Sequence, residues 1–178
     1  MNIVDNFLSK SEYDKLYNNV FGKINHTQQF PWFFNSEKIV GSNLDYNYQF
    51  VHIVIENGKI ISPLAFEFLK PLLNKLKPEG LIRIKYNLTT KTNKIIKYPL
   101  HRDINVKYEK DTDQLKKDNY KVAIFYMNSN NGYTYFENKK KVKSVANRLL
   151  KFDNIMKHSG TTCTDENQRV VININYEV

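Results

Sequence analysis

From Leu81 onward the chain is a succession of short alternating stretches separated by turn residues, and no other feature of the sequence restricts the fold as much. In "LIRIKYNLTTKTN" (81–93) apolar and polar residues alternate, the period of a strand with one buried face. Segments 96–103, "YKVAIFYMN" (120–128), "YTYFE" (133–137), "NRLLKFD" (147–153), "IMKHSG" (155–160) and "RVVININYE" (169–177) continue the series. They are rich in the β-branched and aromatic residues that strands favour. Turn signals stand between them at "NSNNG", "ENKKK" and "TDENQ". This order predicts a mainly β fold, an antiparallel sandwich or jelly roll.

The first part of the chain reads differently. In "SKSEYDKLYNNVF" Ser9 or Ser11 can cap a helix whose buried stripe is Tyr13, Leu16, Tyr17 and Val20. "FPWFFN" (30–35) reads as an extended edge segment, broken by Pro31. "YQFVHIVIEN" (48–57) reads as a strand entering an Asn57-Gly58 turn. "SPLAFEFLKPLLNKLKP" (62–78) is a second amphipathic helix, with Ser62 as cap and Pro63 in its first turn. Pro71 is expected to kink or divide it. The expected organisation is one domain over 1–178, with 1–78 as a helix-containing support on one outer face and 79–178 as the jelly-roll core. "KYEKDTDQLKKDNY" (107–120) is charged and without period, and reads as a mobile loop.

Composition removes several classes. Hydrophobic residues make up 41% and charged residues 25%, a soluble globular balance. No apolar run approaches the roughly 18 residues that span a bilayer. "MNIVDNFLSK" lacks the basic-then-apolar layout of a secretory signal. A single cysteine, Cys163, excludes an internal disulfide framework and a cysteine zinc site, and a cytoplasmic setting is expected. The net charge of +9 has two readings, a footprint for a polyanion or the lysine excess of an AT-rich coding sequence.

The chemistry-bearing pattern is "YPLHRDINVK". In a strand, residues two apart share a face, so His101 and Asp103 can point into one end of the jelly roll while Arg102 points away. His158 ends a later predicted strand and can reach the same place. Two imidazoles and one carboxylate form the facial triad of non-haem Fe(II) oxygenases, which leaves adjacent positions open. A chelating 2-oxo acid and O2 would fill them. The far carboxylate of that acid needs a cationic fork, and Arg169 stands eleven residues after His158, at the start of the last strand. Taken singly, each has a plainer explanation: a chance His-x-Asp, a turn histidine beside Ser159-Gly160, an Arg169 ion pair with Asp165 or Glu166.

With "LIRIKYNL", "HRD", "FYMNSNNGYTYFEN", "ANRLLKFDNIMKHSGTT" and "QRVVININY" in place, the chain resembles the 2-oxoglutarate/Fe(II)-dependent dioxygenases. Within them it is most similar to the prolyl-4-hydroxylase-like branch and its small phage-encoded versions. The resemblance implies a double-stranded β-helix with the metal at its open end. It implies His101, Asp103 and His158 as iron ligands and Arg169 as partner of the 2-oxoglutarate C5 carboxylate. It also implies co-substrate contacts by Tyr126, Thr134 and Asn87. Fe(II), 2-oxoglutarate and O2 would be required, and succinate and CO2 released. The presence of Asp103 favours hydroxylation, or oxidative demethylation, over halogenation. A peptide or protein side chain is the expected substrate, in the cytoplasm, of an infected host cell if the protein is phage-encoded. Two rivals stand beside this reading: a nucleic-acid-modifying dioxygenase, motivated by the charge, and a non-catalytic jelly-roll module. The charged stretch after Asp103 departs from the family's usual shorter connection and puts any transferred substrate in doubt.

Overall fold

The computed structural model describes residues 1–24, 27–38, 47–103 and 119–178. The chain enters through β1 (Asn2–Val4) and α1 (Lys10–Phe21). A capping box starts α1: Ser9 Oγ accepts from the Glu12 N–H at 3.4 Å, and Glu12 Oε2 accepts from the Ser9 N–H at 3.0 Å. Of the expected stripe, Leu16 and Val20 are buried and Tyr13 is half-buried, but Tyr17 faces solvent. Its ring lies against those of Tyr13 and Phe21 at 5.9 and 4.5 Å.

The short pair β2 (Lys23–Ile24) and β3 (Thr27–Gln28) leads to β4 (Phe33–Asn35), β5 (Gln49–Glu56) and β6 (Lys59–Ile60). Asn57 and Gly58 both take positive φ, 50° and 75°, as a two-residue hairpin turn requires. α2 (Pro63–Leu76) follows. Ser62 stands at its N-cap position, but its hydroxyl bonds His52 Nε2 at 2.9 Å rather than a helix N–H. Nor does Pro71 divide the helix. The carbonyl that loses its N–H partner belongs to exposed Glu67, on the solvent side, while buried Leu69, Leu72 and Leu73 hold both flanks of the proline on the core. Each such leucine is worth about 1.5–3 kcal/mol of burial, against one forfeited hydrogen bond.

The remaining strands are β7 (Gly80–Thr90), β8 (Tyr120–Tyr126), β9 (Tyr133–Phe136), β10 (Lys141–Lys143), β11 (Arg148–Asp153), β12 (His158–Gly160) and β13 (Gln168–Glu177). A large antiparallel sheet runs β1-β11-β8-β13-β7-β5-β4, with β4 as its aromatic edge. A smaller sheet runs β10-β9-β12. Alternation sorts the side chains of the large sheet. Ile84, Tyr86, Phe125, Ile172 and Ile174 join the core shared with α1 and α2. The opposite face of the same strands carries Val122, Ile124, Tyr126 and Val171, which pack with Phe136, Val142 and Phe152. The fold is a double-stranded β-helix with helices on one outer face, as the strand pattern predicts.

Three local expectations need correction. Segment 96–103 is not a continuous strand; its backbone pairs only in isolated bridges, Lys97 with Thr161 and His101 with His158. Pro99 interrupts it because it has no N–H for a ladder. In 155–160 only His158–Gly160 is strand, because Met156 N–H closes a turn onto Asp153 O at 3.0 Å. β10 was missed behind a run of lysines, although Val142 between Lys141 and Lys143 is buried. Of the charged stretch 107–120 expected as a loop, 107–118 lies outside the described residues, and its last residue, Tyr120, opens β8.

Candidate metal centre

His101 and His158 oppose each other in a narrow antiparallel bridge, each N–H bonded to the other's carbonyl at 3.0 Å. Paired residues in such a bridge project to one side, and the two rings lie 5.1 Å apart. Asp103 completes the cluster, with Oδ1 3.6 Å from His101 Nε2 and Oδ2 3.7 Å from His158 Nε2. One ligand atom from each of the three lies within 4.8 Å of the others. Both histidines turn Nδ1 to the carbonyl two residues back, His101 to Pro99 O at 3.2 Å and His158 to Met156 O at 3.3 Å. A carbonyl only accepts, so Nδ1 holds the proton and Nε2 keeps its lone pair for a metal.

Asp103 is held by partners on two strands. Asn173 and Asn175 on β13 each donate Nδ2–H to Oδ2, at 2.8 and 3.0 Å. Arg83 on β7 approaches Oδ1 at 3.5 Å and donates Nε–H to Asn175 Oδ1 at 3.0 Å. Burial alone would raise the Asp103 pKa. The two histidines when protonated, then the Arg83 charge and the Asn173 bond, overcome this and hold it well below the usual carboxylate range. Burial pushes the His158 pKa down, against the pull of Asp103. Neutral imidazole and ionised carboxylate are the forms a divalent metal needs. Two imidazole nitrogens and a carboxylate oxygen suit Fe(II). Asn173 Oδ1 is buried without a partner and lines the cavity beside the cluster.

That cavity, of about 420 Å³, runs between the two sheets from the triad to Arg169. Arg169 is 4% exposed. Its Nε donates to Ser144 Oγ at 2.8 Å and its Nη2 to Thr134 Oγ1 at 3.3 Å, and the guanidinium lies 5.7 Å from the Tyr126 ring centre. Gly160 leaves it room: a Cβ there would stand 3.2 Å from Arg169 Nη1. Among the described residues no carboxylate pairs with Arg169. Asp165, a partner considered from the sequence, accepts the Asn131 N–H at 3.0 Å instead. Burial lowers the Arg169 pKa, yet a guanidinium stays charged. A buried cation without a counter-ion costs several kcal/mol, roughly, unless a ligand supplies the anion.

The other expected contacts separate. Thr134 and Asn87 line the cavity; Tyr126 does not. Tyr126 is fully buried behind Thr134 and donates its hydroxyl to Thr134 Oγ1 at 2.8 Å. Thr134 Oγ1 thus receives two donors, and its own proton is free for an anion in the cavity. Asn87 is half-buried, its amide only grazing Lys85 O at 3.5 Å. Arg102 is exposed at the cavity rim, with Nε bonded to Ile155 O at 2.9 Å. Sequence reasoning missed Lys38, Arg83, Lys85, Ser144, Asn173 and Asn175. A signal for the last two was present: asparagine at alternate positions of an otherwise apolar strand.

No protein-family profile matches the sequence, and no curated protein matches it. Solved structures do match. A prolyl hydroxylase from Trichoplax adhaerens, in complex with a hypoxia inducible factor oxygen degradation domain peptide fragment, superposes with TM-score 0.62 at 15% identity, covering 99% of this chain and 82% of that one. The viral collagen prolyl hydroxylase of Paramecium Bursaria Chlorella virus-1, as its 2OG complex, gives 0.60 at 15% identity, covering 99% and 94%. An oxidoreductase of the 2OG-Fe(II) oxygenase family from Burkholderia pseudomallei gives 0.62 at 9% identity, covering 98% and 84%. At these identities the likeness is one of fold.

Proposed function

We propose that this chain is a non-haem Fe(II)- and 2-oxoglutarate-dependent dioxygenase that hydroxylates a peptide or protein side chain. One observation carries the reading: a single cavity has a His101/Asp103/His158 cluster at one end and at the other a buried arginine that has no counter-ion among the described residues. A 2-oxo diacid meets both needs, with its oxo-acid end at the metal and its far carboxylate at the guanidinium. Fe(II) held by the triad would supply the coupled oxidation, in which 2-oxoglutarate, O2 and a C–H bond become succinate, CO2 and a C–OH group. The chain's own work is positioning. Arg169 and the free Thr134 proton orient the far carboxylate. Asn173, Asn175 and Arg83 keep Asp103 ionised and in one orientation. The apolar packing of Phe136, Phe152 and Val171 beside the site keeps water away from it. A peptide substrate is supported by the peptide in the Trichoplax adhaerens structure.

The test is anaerobic addition of Fe(II) and 2-oxoglutarate, followed by admission of O2. A visible charge-transfer band that needs both additives, then succinate formation, is the expected result. His158→Ala should remove both. Succinate released equally by wild type and H158A would overturn the metal assignment.

A further inference from the structure

Lys38 was not anticipated as a functional residue, yet it reaches into the same cavity. It lies between β4 and β5, and its backbone N–H is tied to Asn47 O at 2.9 Å. Its Nζ sits 3.5 Å from the centre of the Tyr98 ring. Among the described residues no carboxylate pairs with it. Burial depresses its pKa strongly, and the positive charges of Arg169 and Lys85 push the same way. Lys38 thus lines the same cavity as Arg169 and stands over a Tyr98 ring that also feels the arginine's charge. Two basic side chains line this cavity with aromatic faces and hydroxyls, and among the described residues no carboxylate pairs with either. Like charges brought together out of water repel, and each loses hydration. A carboxylate placed between them would relieve both costs.

We propose that Lys38 is the second cation of the subsite that takes the distal carboxylate of the 2-oxo acid, acting together with Arg169. This rests on the dioxygenase reading above. An arginine fork alone binds one face of a carboxylate, and an ammonium from a separate segment satisfies the lone pairs left over. The pair makes the subsite select 2-oxo dicarboxylates over 2-oxo monocarboxylates of equal length. Lys38 is a binding residue and does not meet the metal.

The experiment is anaerobic calorimetry on the full chain loaded with Mn(II), titrated with 2-oxoglutarate and with 2-oxopentanoate, which has a methyl in place of the distal carboxylate. The variants are Lys38→Met and Lys38→Arg. K38M should bind 2-oxoglutarate about tenfold or more weakly, the loss of one charge-assisted hydrogen bond. Its affinities for 2-oxopentanoate and Mn(II) should stay at the wild-type values, and K38R should recover most of the 2-oxoglutarate affinity. Unchanged 2-oxoglutarate binding by K38M would overturn the proposal. So would equal weakening of both acids, which marks a structural role. Wild type that shows no preference for 2-oxoglutarate would strike the dioxygenase reading itself, and wild type alone reveals that case.

Discussion

Arg169→Met separates a functional arginine from a structural one. Methionine fills much of the same space, but it removes the charge, the bond to Ser144 Oγ and the bond to Thr134 Oγ1. For the ligand-free chain these losses are largely offset. Thr134 Oγ1 keeps the Tyr126 hydroxyl as donor, and Ser144 can turn its own proton elsewhere. Removing a buried, uncompensated cation recovers several kcal/mol of desolvation, roughly. The expected stability of ligand-free R169M is thus within about 1 kcal/mol of wild type, or above it. Binding behaves in the opposite way. A two-pronged charge-assisted contact is lost, about 3–5 kcal/mol in total, or roughly two to four decades in the 2-oxoglutarate dissociation constant. The assay is urea unfolding with and without Mn(II) and 2-oxoglutarate. Wild type should gain stability from the acid and R169M should not. If R169M loses more than about 3 kcal/mol without ligand and still responds to 2-oxoglutarate, the arginine is structural and the argument fails.

Two further outcomes follow from the metal end. Asn175→Leu removes a buried donor to Asp103 and strands Arg83 Nε, so affinity for Fe(II) or Mn(II) should fall about 10–100-fold; an unchanged metal titration would show that the asparagine does not hold the carboxylate. In the metal-free protein, burial depresses the His158 pKa below the unfolded value of about 6.5. The unfolded chain therefore takes the proton first. Stability from neutral His158 is complete above about pH 6.5 and is lost as pH falls through the folded pKa. Urea midpoints should drop as pH falls below about 6.5 in wild type and drop less in His158→Gln; equal slopes would remove His158 from the effect.

Much of the scaffold was readable before any coordinates. Two-residue alternation in "LIRIKYNL" and "RVVININY" is a local property, and it marks both the strands and the faces they bury. The Ser9–Glu12 capping box and the Asn57-Gly58 turn are likewise written within a few residues. Where local reading failed, a distant partner or a missing donor intervened. The Ser62 hydroxyl turned to His52, Tyr17 turned outward, and Pro99 kept 96–103 from joining a ladder.

The site divides the same way. His158 and Arg169 lie at strand positions whose facing is set by period two, and His101 and Asp103 stood out by their i, i+2 spacing although 96–103 is not a continuous strand. Lys38 could not, since it comes from the segment after an edge strand and meets Tyr98 only in the folded chain. The Asn173, Asn175 and Arg83 clamp shows as alternation in sequence, but what it grips was visible only once β13 and β7 paired. By itself the sequence determined the strand pattern, the helix starts and the residue types able to bind a metal and an anion, because backbone preference and side-chain facing are local. Tertiary structure alone decided that these groups line one cavity, that Arg169 has no counter-ion there among the described residues, and that Tyr126 stands behind Thr134. Those facts depend on which surfaces exclude water from which charges, and that is a property of packing between strands far apart in the chain.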